Sequence, residues 1–227
     1  MIIKGENYIV ASANENTDYW GGDLFPKWAS IRTLMYFPRQ PVGHGPEPHY
    51  HDCDELWMFV KGRGHLWLNG KEYEFTPGTV AYNPMGAVHE FHSYTEVETV
   101  AVTTPLERKK RPVHIHADED GPPEPTVQPF VAAGAENTGP FRNRGNRCPL
   151  SELRVVSYKK GEGLKEEVIS KNEYWLALNG RVELTVDGHK VELAGDSPHG
   201  DVALLRKGAS RSIRAVRPSG LALARDA

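Results

Sequence analysis

An internal repeat constrains the fold of this chain more than any other feature of its sequence. The stretch ELWMFVKGRGHLWLNGKEYEF, from Glu55, aligns without a gap on EYWLALNGRVELTVDGHKVEL, from Glu173. The shared positions are turn glycines and residues of one strand face: Trp57/Trp175, Gly62/Gly180, Arg63/Arg181, Leu66/Leu184 and Gly70/Gly188. Two copies of the same backbone fold would require the same residue types at these positions. The chain is therefore predicted to contain two copies of one structural unit.

Each copy has the sequence pattern of short β-strands joined by tight turns. Polar and apolar residues alternate, and Asn69-Gly70 and Asp187-Gly188 each separate two such runs, which is typical of two-residue hairpins. The 22 glycines and 17 prolines among 227 residues also suit many short strands. We predict an all-β protein with a small barrel or sandwich in each half. The Pro-rich, acidic stretch ADEDGPPEPTVQP, residues 117–129, is predicted to connect the halves.

Composition and charge exclude several classes of partner. The formal net charge is -3, and Lys and Arg are scattered except in ERKKR, residues 107–111, which we interpret as a solvated loop end rather than a phosphate site. No stretch approaches the ~20 apolar residues of a membrane helix, and the N-terminus lacks a secretory signal. The two cysteines, Cys53 and Cys148, form no disulfide framework. We expect a cytoplasmic protein with reduced thiols and no nucleic-acid or membrane partner.

Metal-binding side chains crowd into the stretch GHGPEPHYHDCDELWMFV, residues 43–60, just before an apolar strand. His49 and His51 are two residues apart and share a strand face, Glu55 opens the next strand, and His89 follows a Pro-Met-Gly turn. Three imidazoles and one carboxylate that converge inside a barrel can hold one divalent metal and leave adjacent positions open for water or substrate. Burying these groups without a metal would cost several kcal/mol in unpaired polar atoms.

The spacing of these residues resembles the cupin superfamily. Its first motif is Gly, five residues, His-x-His, three or four residues, Glu, six residues, Gly; its second is Gly, five residues, Pro-x-Gly, two residues, His, three residues, Asn. The matching positions here are Gly43, His49, His51, Glu55 and Gly62, then Gly78, Pro84, Gly86 and His89, with Ser93 in place of the Asn. The resemblance implies that His49, His51, Glu55 and His89 are metal ligands.

Together with the repeat, the resemblance implies a bicupin, a chain of two tandem cupin barrels of the jelly-roll, or double-stranded β-helix, type. We expect an N-terminal barrel with the metal site at residues 1–116, a connecting segment at 117–145 and a C-terminal barrel at 146–227. These boundaries follow the repeat and the Pro-rich stretch.

The C-terminal copy lacks the ligand set. Glu167 and Ile169 stand where the first copy has its His-x-His pair, and Arg211 stands at the position of the last histidine, while Glu173 is retained. An arginine offers no lone pair to a metal. We expect a degenerate, metal-free barrel with a structural or pairing role, in which an ion pair of Arg211 with Glu173 or Glu167 fills the vacated centre.

Aromatic residues on the ligand-bearing strands are expected to form the wall of a small-molecule pocket, although many of them would serve an ordinary core equally well. The candidates are Trp57, Phe59, Trp67, Tyr82 and Phe91. Arg32 and Tyr36, on the strand before the first motif, are expected to point inward and orient a substrate carboxylate or hydroxyl.

Three other residues near these motifs have two interpretations each. His114-x-His116, followed by acidic residues, could be a second metal site, but an ordinary position where the chain enters the connecting segment is favoured. Cys53 is either a plain turn residue or a reactive thiol at the barrel mouth.

The resemblance implies a metal-dependent enzyme that acts on a small-molecule substrate, with no catalytic residue assigned beyond the ligands. The ligand set suits Fe2+, Mn2+, Ni2+, Co2+ or Zn2+, of which Fe2+ is favoured. The leading hypothesis is a mononuclear non-haem oxidoreductase of the dioxygenase type. The alternatives are an isomerase or lyase acting on a sugar or organic acid, and a non-catalytic cupin that binds a metal or small molecule. A homodimer is expected, because cupin sheets often pair across exposed edges.

Overall fold

The structure is a computed structural model that describes residues 1–14, 17, 19–106, 114–118, 125, 127–132, 148–196 and 199–227. The strands of the first part of the chain are β1 (Ile2–Lys4), β2 (Tyr8–Ala11), β3 (Trp20–Gly21), β4 (Thr33–Gln40), β5 (His49–Tyr50), β6 (Glu55–Lys61), β7 (Gly64–Leu68), β8 (Lys71–Phe75), β9 (Val80–Asn83), β10 (His89–Ser93), β11 (Val97–Thr103), β12 (Ile115–His116) and β13 (Phe130–Ala132). The strands of the second part are β14 (Leu150–Tyr158), β15 (Gly163–Val168), β16 (Glu173–Asn179), β17 (Arg181–Val186), β18 (His189–Ala194), β19 (Val202–Leu205), β20 (Ser210–Ala215) and β21 (Ser219–Asp226). A short 3-10 helix covers Gly22–Leu24. Within the described ranges, no helix is long and apolar enough to cross a membrane.

Two antiparallel sheets face each other in each half of the fold. The N-terminal barrel has the strand orders β13-β9-β6-β11-β4-β3 and β12-β5-β10-β7-β8, and the C-terminal barrel has β1-β2-β19-β16-β21-β14 and β15-β20-β17-β18. Each pair of sheets encloses its own apolar core. The prediction of an all-β protein with two tandem jelly-roll barrels is confirmed.

The repeat predicted from the sequence corresponds to matching strands in the two barrels. β6, β7 and β8 of the first are equivalent to β16, β17 and β18 of the second. Asn69 and Gly70 have φ angles of 48° and 74°, and Asp187 and Gly188 have φ angles of 47° and 79°. A type I′ hairpin turn requires positive φ at both central residues, so the hairpin predictions are confirmed.

A third apolar core joins the two barrels and explains the unusual apolar run in β6. Leu56 and Met58 pack with Tyr174 of β16 in this core, whereas Trp57 and Phe59 lie in the core inside the N-terminal barrel. A strand that is covered on both faces has no polar side. The apolar run LWMFV, residues 56–60, therefore directly follows Glu55, the residue through which β6 contributes to the polar cluster.

Three strands pair outside the domain boundaries expected from the sequence. β1 and β2, expected in the N-terminal barrel, extend the sheet of the C-terminal barrel, because β2 pairs with β19. β13, inside the expected connecting segment 117–145, pairs with β9 of the N-terminal barrel. Both are corrections to those boundaries, and both depend on contacts between residues far apart in sequence. Most of residues 117–145, and all of the basic run 107–111, lie outside the described residues.

Arg211 occupies the centre of the C-terminal barrel. Its side chain is 1% exposed, its Nε donates to Glu173 Oε2 at 3.1 Å, and its Nη2 donates to Glu167 Oε1 at 2.7 Å. The Arg211 guanidinium also lies 5.9 Å from the centre of the Trp175 ring. Both ion pairs considered from the sequence are present, and a fixed organic cation stands where the other barrel has its last histidine.

Candidate metal centre

Four buried side chains of the N-terminal barrel converge on one point. His49 lies on β5, His51 in the turn after it, Glu55 at the start of β6 and His89 at the start of β10. One ligand atom from each side chain lies within 4.8 Å of the others. His89 is the direct pairing partner of His49, which places the two rings side by side. The structure thus brings together the four residues named from the sequence, and they could hold a metal ion.

Backbone carbonyls orient two of the imidazoles. His49 Nδ1 donates to Glu47 O, and His89 Nδ1 donates to Ala87 O, both at 2.7 Å. A carbonyl only accepts, so Nδ1 carries the proton of each neutral ring and Nε2 keeps a lone pair. Burial, aided by His89 and His51, lowers the pKa of His49 to about 3, and burial also lowers the pKa of His89. Both rings are therefore in the neutral state that a metal ligand requires.

The polar atoms of the cluster are not satisfied by the protein alone. Glu55 Oε2 lies 3.1 Å from His51 Nε2 and 3.0 Å from His89 Nε2. Burial acts to raise the pKa of Glu55, but the contacts with His51 and His89 outweigh it and hold this pKa below its usual range. An ionised oxygen that faces the lone pair of a neutral His89 Nε2 is repelled by it, and a cation between the two atoms would relieve this repulsion.

Two further atoms support the same conclusion. His49 Nε2 and His51 Nδ1 are buried without a hydrogen-bond partner, which is costly in a protein interior. Three imidazoles and one carboxylate form a donor set that suits a divalent transition metal. The residues present therefore fit the ion that the sequence predicted.

A cavity of about 390 Å³ opens onto this cluster. His49 and Glu55 form its inner end, and its other residues form an apolar wall, a polar pair and a rim. The wall is Met35, Phe37, Trp57, Phe91 and Ala101; the pair is Gln40 and Thr99; the rim is residues 44–47 with His114 and His116. A site with an adjoining cavity differs from a structural metal site, which is closed by four protein ligands.

Two of the aromatic residues expected in the pocket, Trp57 and Phe91, lie in the cavity wall. Phe59 lies behind them, stacked on Phe75 with ring centres 3.7 Å apart. Trp67 alternates with the buried Leu66 and Leu68 on β7, so it is on the outer face of the barrel.

The remaining three expected pocket residues lie elsewhere. Arg32 Nη1 donates to Phe25 O at 2.7 Å, and the Tyr36 hydroxyl donates to Glu98 Oε2 at 2.7 Å. Tyr82 lies with Tyr36 in the core between the barrels, and its hydroxyl donates to Asp54. The expected inward orientation of Arg32 and Tyr36 needs correction, because Met35, Phe37 and Gln40 are the β4 residues that line the cavity.

His114 is a residue of the site that the sequence analysis placed at the start of the connecting segment. Its ring centre lies 4.3 Å from that of His49 and 5.4 Å from that of His51. The pairing of His116 with His49 on the neighbouring strand brings it there. Burial lowers the pKa of His114, and His51 adds to this effect. The His114-x-His116 pattern was the signal in the sequence that pointed to this residue, but the strand pairing is needed to identify its neighbours.

Cys53 is 6% exposed, and burial raises the pKa of its thiol to about 12. A protonated, buried thiol is a poor nucleophile, which favours the interpretation as a plain turn residue. Neither Cys53 nor Cys148 forms a disulfide in the described part of the chain.

Comparison with known sequences gives a match to the cupin domain over residues 38–105. The protein y4oW of Sinorhizobium fredii is 31% identical over 77 residues, which are 34% of this chain and 36% of that protein. An uncharacterized protein of Aquifex aeolicus is 35% identical over 54 residues, or 23% of this chain and 45% of that protein. The chain therefore matches less than half the length of either relative.

Solved structures extend the similarity to both barrels. Salicylate 1,2-dioxygenase from Pseudaminobacter salicylatoxidans has a TM-score of 0.54 at 11% identity, covering 87% of this chain and 71% of that chain. A mutant of Bacillus subtilis oxalate decarboxylase has a TM-score of 0.59 at 12% identity, covering 100% of this chain and 75% of that chain. The coconut allergen cocosin has a TM-score of 0.59 at 11% identity, covering 100% of this chain and 83% of that chain. At these identities the likeness shows the fold alone: the chain has the two-barrel fold of these structures, and the domain match assigns residues 38–105 to the cupin superfamily.

Proposed function

We propose that this bicupin is a metal-dependent enzyme that acts on a small metabolite in its N-terminal barrel, as a mononuclear non-haem oxidoreductase of the dioxygenase type. The observation that carries the proposal is the buried set of three histidines and one glutamate at the inner end of an open, mainly apolar cavity. His49, His51, Glu55 and His89 would hold the ion, with Fe2+ favoured. Such a metal supplies Lewis-acid or redox chemistry at its open positions.

The other residues of the site bind and position the substrate. Trp57, Phe91 and Met35 give the cavity an apolar wall that excludes water and packs against the body of a substrate. The carbonyls of Glu47 and Ala87 hold the imidazoles in the orientation that presents Nε2 to the centre. His114, beside His49 and in the cavity lining, is placed to hydrogen-bond a polar group of a bound molecule.

The alternative is an isomerase or lyase acting on a sugar or organic acid, and a decarboxylase is among the structures of similar fold. The apolar character of the cavity wall favours the oxidoreductase, because a sugar would need a polar partner for most of its hydroxyls. The open cavity also disfavours a purely structural, non-catalytic metal site.

Oxygen uptake by the iron-loaded protein tests the proposal. We expect uptake with at least one compound among catechols, thiols and diketones, and none with the His49→Ala variant. His92→Ala is the matched control, because His92 is exposed on β10, the strand that carries His89. Iron bound without oxygen uptake for any compound, together with turnover of a sugar or organic acid, would replace the dioxygenase by the isomerase or lyase.

We also propose that the protein forms a homodimer. β15 lies at the edge of its sheet, and Val168 at its end is 69% exposed, so this edge is available for pairing. Sedimentation velocity should show a dimer that Val168→Lys weakens. A monomer at all protein concentrations would refute this.

A further inference from the structure

The strand β4 carries one extra residue at the end of the cavity farther from the metal ligands. In the pairing of β4 with β11, Phe37 lies opposite Thr99 and Gln40 lies opposite Val97. Three residues along β4 therefore match two residues along β11. Arg39, inside this bulge, has a φ of 54°, a left-handed conformation that is unfavourable for a residue with a Cβ. Bulges are typical of positions beside functional sites, where they redirect a side chain.

The bulge changes which side chain reaches the cavity. Met35 and Phe37 line it, so strict alternation along β4 would bring Arg39 to the wall next. With the extra residue, Gln40 takes that place and Arg39 is exposed. The backbone thus adopts a strained conformation that replaces a cationic side chain by a neutral amide.

Gln40 and Thr99 form a neutral polar pair at this end of the cavity. Gln40 Nε2 donates to Thr99 Oγ1 at 2.8 Å, and Thr99 is only 3% exposed. Within the described part of the chain, no group accepts from the Thr99 hydroxyl or donates to Gln40 Oε1. The pair therefore offers a ligand one hydrogen-bond donor and one acceptor, and this holds for either orientation of the amide.

The register gives the distance between this pair and the metal ligands. On β11, Thr103 lies opposite Glu55 and Thr99 lies opposite Phe59, so the pair is four residues, or about 13 Å of strand, from the ligand end. The wall between the ends is apolar, and the described lining residues include the carboxylates Glu47 and Glu55 but neither Lys nor Arg. A second anionic group on a substrate would meet no described cation there.

We infer that the substrate has a metal-binding head of one or two oxygens, an apolar body, and a neutral hydrogen-bonding group at its far end that Gln40 and Thr99 recognise. This inference rests on the proposed metal-dependent function, since it takes the His-Glu cluster as the binding site of the head. It makes Gln40 and Thr99 specificity residues and predicts weaker binding of a substrate that carries a carboxylate or phosphate at the far end.

Three catechols with tails of matched length test the inference: 4-propylcatechol, 4-(2-hydroxyethyl)catechol and 3,4-dihydroxyphenylacetate. Their dissociation constants are measured by calorimetry without oxygen, on the iron-loaded and on the metal-free full chain. We expect the hydroxyethyl compound to bind about 2- to 12-fold more tightly than the propyl compound, the range of one neutral hydrogen bond. The carboxylate compound should bind most weakly, because its charge would be desolvated without a partner.

Matched variants show whether the pair is responsible. Thr99→Val, of nearly unchanged shape, removes the hydroxyl of the pair and should reduce the preference for the hydroxyethyl tail. Thr103→Val is the control on the same strand, because Thr103 bonds to Thr33 and does not line the cavity. An undiminished preference in Thr99→Val, tightest binding of the carboxylate compound, or no binding of any of the three to the iron-loaded protein would overturn the inference.

The metal-free protein separates this inference from the proposed function. Tighter binding of all three compounds in the presence of iron, with no difference among them, would leave the metal-bound head in place and refute the tail recognition. Equal binding with and without iron would refute the metal-bound head, on which the inference rests, and so would overturn it as well.

Discussion

Replacing Arg211 by methionine should destabilise the C-terminal barrel strongly. Arg211 and Glu173 are 1% and 2% exposed, and among the described residues the substitution leaves the buried carboxylate of Glu173 with Arg225 Nη2, at 2.6 Å, and Trp175 Nε1, at 3.0 Å, as its donors. Removing one partner of a buried ion pair costs about 3–5 kcal/mol. Because Arg225 remains, we expect about 3 kcal/mol, which corresponds to a fall in Tm of about 6–12 °C for a chain of this size.

Urea unfolding, followed by circular dichroism in the presence of a chelator, measures this free energy. Arg214→Met is the matched control, because Arg214 lies on the same strand β20 but is exposed, and it should change the free energy of unfolding by at most about 0.5 kcal/mol. The double variant Arg211→Met with Glu173→Gln should recover part of the loss, because it removes the uncompensated charge. An Arg211→Met variant within about 1 kcal/mol of the parent, or a double variant whose losses simply add, would refute the reasoning.

Two further predictions concern the N-terminal barrel. A Cβ on Gly45 would lie 1.8 Å from Phe91 O, so Gly45→Ala should displace the cavity rim and cost about 1–3 kcal/mol; an unchanged Tm in thermal unfolding would contradict this. The pKa of His49 is about 3 in the folded, metal-free protein, below its ordinary value of 6.5, so its contribution to stability is complete above pH 6.5 and is lost as pH falls toward 3. Urea unfolding with a chelator should show that His49 lowers the free energy of unfolding by about 1.4 kcal/mol for each pH unit of acidification in this window, and His49→Gln should remove this pH dependence. Equal pH slopes of the free energy of unfolding in the parent and the variant would be inconsistent with a buried neutral ring.

The parts of this molecule that could be predicted from its sequence depend on short spacings. The ligand set lies within two motifs, and the hairpin turns at Asn69 and Asp187 depend on two residues each, so local geometry determines them. The partners of β2 and β13 could not be predicted in the same way, because their pairing joins residues that are far apart in the chain.

The orientation of β4 was not predictable for a different reason. Leu34 and Tyr36 face the core between the barrels, while Met35 and Phe37 face the cavity, so both faces of the strand are apolar. Alternation alone cannot choose between two such faces. The bulge at Arg39 then shifts the pattern by one residue, which brings Gln40 into the site.

The most direct test of the account is the metal content of the untagged full chain and of a His89→Arg variant, purified without added metal and measured by elemental analysis. The variant places an arginine at position 89, which is equivalent to the position of Arg211 in the C-terminal barrel. We predict about one equivalent of a divalent transition metal in the parent and none in His89→Arg, because a guanidinium offers no lone pair. Undiminished metal in His89→Arg, or no metal in the parent, would contradict the assignment of the centre to His49, His51, Glu55 and His89.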